Sequence, residues 1–139
     1  MSYDLMVFSL DSVPTGRNEF LEWLDTQTEG GEDHSYDDPS VTALPLRALF
    51  NELIATFRPM NGPLAVRDFE KPETEADYSI GKNFIYISFS WSKADEAYSK
   101  LFDLSEKYEV GFFDVSSDTG TVWMPGPDGG LKIAHEDPL

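Results

Sequence analysis

The chain has 139 residues, no cysteine, and 26 acidic residues against 10 Lys plus Arg, which leaves a net charge of -16. That length folds as one ordinary domain, and the lack of cysteine excludes disulfides, thiolate metal sites and Cys nucleophiles. A field of this sign repels phosphate backbones and anionic lipid head groups, so nucleic acid and membrane surfaces are poor partners and a basic protein is a good one.

Residues 3–10 are short and apolar, end at Asp11-Ser12-Val13-Pro14, and predict a buried strand. Thr15 is placed to cap a helix over 17–27, with Phe20, Leu21, Trp23 and Leu24 inward and Gly30-Gly31 at its end. The polar loop EGGEDHSYDDP follows. Leu46, Leu49, Phe50, Leu53, Ile54 and Phe57 then recur at helical spacing, with Thr42 as cap, Pro45 in the first turn and Arg58-Pro59 as the stop. Residues 59–76 carry no period and predict a long surface loop.

Strands over 78–80 and 84–91 are joined by Gly81-Lys82-Asn83, a hairpin signal. Ile85, Ile87 and Phe89 point one way, towards the helices, and Phe84 and Tyr86 point the other, where Trp123 is expected to join them. A third helix opens at Ser92 with Asp95 at the capping-box position. Ala94, Ala97, Tyr98, Leu101, Leu104 and Tyr108 form its stripe, and Glu96–Lys100 and Asp103–Lys107 are i,i+4 pairs. Strands over 110–115 and 121–124 come next, and 125–139 reads as an irregular tail.

The order β-α-α-β-β-α-β-β predicts a single α+β domain over 1–139, with one antiparallel or mixed sheet of four to five strands. Its three helices would lie on one face, as a variant of the split β-α-β, ferredoxin-like plan with a doubled first crossover. The second sheet face then needs cover from the tail, a second subunit or a partner. A homodimer through that open face is one solution. The N-terminus offers no basic region ahead of an apolar stretch, and no run approaches the roughly 20 residues of a membrane span, so the expected location is cytoplasmic.

Chemistry is harder to find. His34, Asp37 and Asp38 have nitrogen and oxygen ligands suited to a hard or borderline cation, which admits a small metal-dependent hydrolase or isomerase. Asp and Ser in loops also cap helices and make turns, and that reading is favoured here. Carboxylate pairs are inevitable among 26 acids and carry little information. No G-x-S-x-G, Walker loop, dinucleotide glycine pattern or H-E-x-x-H occurs. The residues indicate a protein that is not an enzyme and needs no cofactor.

Charge distribution says more. Residues 1–38 hold ten acids and one base, Arg17, and a second acid-rich stretch is Asp68, Glu70, Glu73, Glu75 and Asp77. Both stretches interleave acids with large apolar groups, the anatomy of an interface that steers and then anchors a partner. The candidate steering residues are Glu29, Glu32, Asp33, Asp37, Asp38 and Glu70, and the candidate anchors are Trp23, Tyr36 and Phe69.

Five stretches, YDLMVF, HSYDDPSVT, DYSIG, FSWSKADEAY and VGFFDVSS, together resemble a group of small acidic bacterial proteins. Some of that group look like immunity proteins, encoded beside interbacterial effector toxins whose activity they block. The resemblance implies a cytoplasmic antitoxin that occludes a basic toxin domain, without a cofactor.

Overall fold

The computed structural model describes residues 2–11, 13–29, 31–32, 34–60 and 74–138. Seven strands, β1 (Tyr3–Phe8), β2 (Arg58–Pro59), β3 (Glu75–Ile80), β4 (Phe84–Phe89), β5 (Gly111–Phe113), β6 (Val122–Pro125) and β7 (Leu131–His135), form one sheet in the order β2-β3-β4-β1-β5-β6-β7. Among the described residues three helices, α1 (Arg17–Thr28), α2 (Leu44–Leu53) and α3 (Ala94–Tyr108), pack against it. All neighbouring strands are antiparallel except β2 and β3.

The α+β class stands, but the expected sheet of four to five strands does not. Two additions make the difference. Arg58-Pro59, read as a helix stop, forms β2 at the sheet edge, where a proline lacking N–H costs no ladder bond. Residues 131–135, expected to be irregular, form β7 against β6. Two residues in one case and a Gly-rich approach in the other hide both strands from periodicity.

The helices also divide between the faces instead of sharing one. Successive strand residues point to opposite sides, and β1 is buried on both: Leu5 and Val7 join one cluster, Met6 and Phe8 the other. The first cluster contains Ile85, Ile87, Phe89 and Phe112, covered by Leu46, Leu49, Phe50 and Leu53 of α2 and by Ala97, Leu101 and Leu104 of α3. The second contains Phe84, Phe113 and Val122, covered by Phe20 of α1 with Leu21, Trp23 and Leu24 around it. Trp123 lies on the α3 face, edge-on to Phe102 at 5.2 Å, and not beside Phe84 and Tyr86 as expected. Gly111 is required at its position, because a Cβ there would collide with the Phe8 ring.

Helix ends depart from the expected caps. Gly16 precedes α1 and Ala43 precedes α2, neither with a side-chain cap, while Thr42 sits buried one residue earlier. A single 3-10 turn over Trp91–Lys93 displaces the start of α3 past Ser92, so the expected capping box does not form. Lys107 bridges to Glu52 of α2 at 2.6 Å in place of the local pair with Asp103. The Gly81-Lys82-Asn83 hairpin is present, with Ile80 opposite Ile85.

Candidate functional site

Helix α1 is the least conventional element. Phe20 is its one buried side chain. At 100° per residue, Glu22, Asp25 and Glu29 fall on the side of the helix opposite Phe20, and Glu19 lies exposed on its flank. Glu19 in the first turn complements the positive end of the helix dipole. Asp25 and Glu29 do the reverse at the other end, where the last turn carries no base. Those acids destabilise the helix they stand on.

The N-terminal end of α1 is tied down by Arg17. Its guanidinium donates to the carbonyls of Gly120 (2.9 Å) and Thr119 (3.2 Å), pairs with Asp137 at 3.1 Å, and donates to His135 Nδ1 at 3.2 Å. Arginine can only donate, so Nδ1 accepts and His135 is neutral, its remaining proton on Nε2. Burial first, and then the Arg17 charge, hold its pKa below the usual histidine range. That Nε2 is itself buried and unpartnered among the described residues.

Among the described residues the C-terminal end of α1 has no such clamp, and a groove of about 630 Å³ opens beside it. Ser79, Phe84, Tyr86, Phe113 and Val115 supply its sheet side, Leu24, Asp25 and Thr28 its helix side, and Tyr36 completes its lining. The Tyr86 hydroxyl donates to Asp4 at 2.6 Å. Burial and then that bond push the phenol above its ordinary pKa. Burial also acts to raise Asp4, but hydrogen bonds from Ser2, Tyr86 and Ser88 outweigh it and leave the carboxyl below its usual range.

The loop before α2 is docked on the β3–β4 hairpin. Ile80 N–H donates to the Tyr36 carbonyl (2.7 Å), and Ala43 N–H to the Lys82 carbonyl (3.0 Å). Glu32 Oε1 accepts from Lys82 N–H at 2.9 Å and lies 2.8 Å from His34 Nε2. His34 Nδ1 faces the Ser35 carbonyl at 2.9 Å. Both ring nitrogens therefore meet acceptors, and both bonds form together only when the ring is the doubly protonated imidazolium. The Ser35 carbonyl, followed by Glu32, accordingly raises the His34 pKa. Its ring also packs on Tyr36, with centroids 4.9 Å apart.

The expected site residues thus separate. Trp23 lies between Phe8 and Phe20, at 5.8 and 5.7 Å, and is half-buried in the core. Glu32 and His34 latch the loop, and Tyr36 lines the groove. Asp37 accepts from Ser35, and Asp38 accepts from Ser40 N–H and Oγ at 2.9 and 2.7 Å, which holds its pKa down. Glu29 is exposed at the end of α1. Asp33, Phe69 and Glu70 lie outside the described residues. Among the described residues no three His, Asp or Glu side chains gather as a metal ion would need, so His34, Asp37 and Asp38 do not converge. Asp25, Thr28, Phe113 and Val115 were not singled out from the sequence. The Glu19-Glu22-Asp25 spacing of three was the available signal.

The molecule is defined by this architecture: a seven-stranded mixed sheet with two helices packed tightly on one face and one acidic helix loosely on the other. No helix among the described residues is long and apolar enough to cross a membrane. Comparison with protein-family models, with curated proteins and with solved structures finds no match.

Proposed function

We propose that the chain is a binding protein whose α1 face receives and occludes a basic protein, in the manner that its resemblance to immunity proteins of effector toxins implies. A cytoplasmic antitoxin is the role this reading assigns to it. The observation that carries it is the placement of Glu22, Asp25 and Glu29 on the outer side of α1 and of Glu19 on its flank, with no base in the last turn. A surface field of one sign steers partners of the opposite sign and speeds their association. Acids at the C-terminal end, Asp25 and Glu29, that weaken their own helix are explained by a cation that arrives later. Rim charges of this kind act mainly on the rate of association, which salt screens.

Co-expression of the chain with the product of each neighbouring gene tests the reading. One basic product is expected to co-purify, and its association rate should fall steeply between low and high ionic strength. Replacing Glu19, Glu22, Asp25 and Glu29 together by Gln or Asn should slow capture at least tenfold. A complex whose association is indifferent both to salt and to those replacements overturns the proposal.

A further inference from the structure

We infer that the groove beside the C-terminal end of α1 takes a short segment of the partner that carries an aromatic or aliphatic side chain next to a lysine or arginine. The inference rests on the binding role proposed above and names the chemistry that enters it. Its floor is apolar, made by Phe84, Phe113, Val115 and Leu24, so burial of a hydrophobic side chain is favourable there. Asp25 and Thr28 on its helix side belong to the last turn of α1, where backbone carbonyls carry partial negative charge. Asp25 is exposed, and among the described residues no lysine or arginine lines the groove. Tyr36 and Tyr86 add aromatic side chains with a polar tip to its lining. A volume of about 630 Å³ exceeds one side chain and falls among ligand-sized sites of about 300–1,000 Å³.

Two other occupants are disfavoured by charge and by tethering. A second copy of this chain brings another net charge of -16 to an acidic rim. The chain's own C-terminal segment is held at the opposite end of α1, through Arg17 and Asp137. A basic segment from another protein satisfies the apolar floor and the acidic rim together.

The test uses the full chain and three capped peptides, acetyl-Phe-Arg-Arg-amide, acetyl-Gly-Arg-Arg-amide and acetyl-Phe-Glu-Glu-amide, followed by amide chemical shifts. The first peptide should bind saturably and move the signals of Thr28, Ser79, Phe113 and Val115. The second should bind at least tenfold more weakly, and the third should leave the spectrum unchanged. Asp25→Asn should weaken the first peptide about tenfold. Thr28→Trp, at an exposed helix end that tolerates the change, should block it. Equal binding of the first two peptides, shifts confined to the Glu19–Glu22 side of α1, or full affinity in Thr28→Trp each overturn the inference. The outcomes also separate the two levels. A basic partner still captured by Thr28→Trp but lost on neutralising Glu19 and Glu22 removes the groove and leaves the binding role standing.

Discussion

On one face of the sheet α2 and α3 each bury four side chains, whereas on the other α1 buries Phe20 alone. The first face closes with an α2–α3 bridge, Lys107 and the Tyr108 hydroxyl both reaching Glu52. The second is closed by Arg17 at one end of α1 and left open at the other, where acids cluster and the groove begins. Stability is concentrated on the α2–α3 side, and unsatisfied electrostatic and apolar potential on the α1 side. The binding role proposed above requires a surface left unsatisfied within the chain, and regions that open locally at low free energy are where ligand-binding elements are found.

The sharpest test of that contrast is a pair of truncations. Phe50→Ala removes a fully enclosed ring that meets Tyr78 edge-on, and should cost about 3–5 kcal/mol in denaturant unfolding. Trp23→Ala removes a larger but half-buried side chain and should cost about 2 kcal/mol. If Trp23→Ala proves as costly as Phe50→Ala, the α1 face is no weaker than the other. A smaller effect has the opposite sign. Asp25→Asn with Glu29→Gln should stabilise the free protein by about 0.5 kcal/mol, seen as a small rise in Tm, because both acids oppose the helix dipole. Loss of stability would show that these carboxylates support the fold.

The smallest effect separates the two histidines. His34 has a raised folded pKa, so its contribution is full below the ordinary histidine value of about 6.5 and is lost as pH rises through the folded value. His135 has a lowered pKa, so its neutral, Arg17-bonded form contributes fully above that ordinary value and is lost as pH falls below it. Hydrogen exchange read at two amides should therefore diverge. After correction for intrinsic exchange, acidification from pH 8 to pH 5 should protect the Ile80 amide, bonded to Tyr36, and expose the Asp137 amide, bonded to Thr119. Parallel changes at the two amides would remove the opposed-switch picture.

How much of this was legible beforehand follows from how far each signal reaches. The α2 stripe from Leu46 to Leu53 and the α3 stripe through Ala97, Leu101 and Leu104 are local periodicities, and both helices bury those residues. The Phe84/Ile85 alternation likewise gave the correct faces of β4. Strands β2 and β7 were missed because Arg58-Pro59 and residues 131–135 become strands only by pairing with β3 and β6. The candidate site was legible as an acidic region, not as a constellation. Glu32 and His34 look like free loop residues until the loop docks on Lys82, and Asp25 gains meaning only beside Phe113 and Val115, about ninety positions away.

By itself the sequence determined the α+β class, the helical stripes, the hairpin and the excess of negative charge, since these depend on composition and on neighbours within a few turns. It also held an unused hint: Leu5, Met6, Val7 and Phe8 make a strand apolar on both sides, which requires cover on both. Tertiary structure alone decided which helix supplied each cover, which acids were consumed by internal bonds and which were left facing water. Those outcomes depend on contacts between residues far apart in the chain, and no local pattern encodes them.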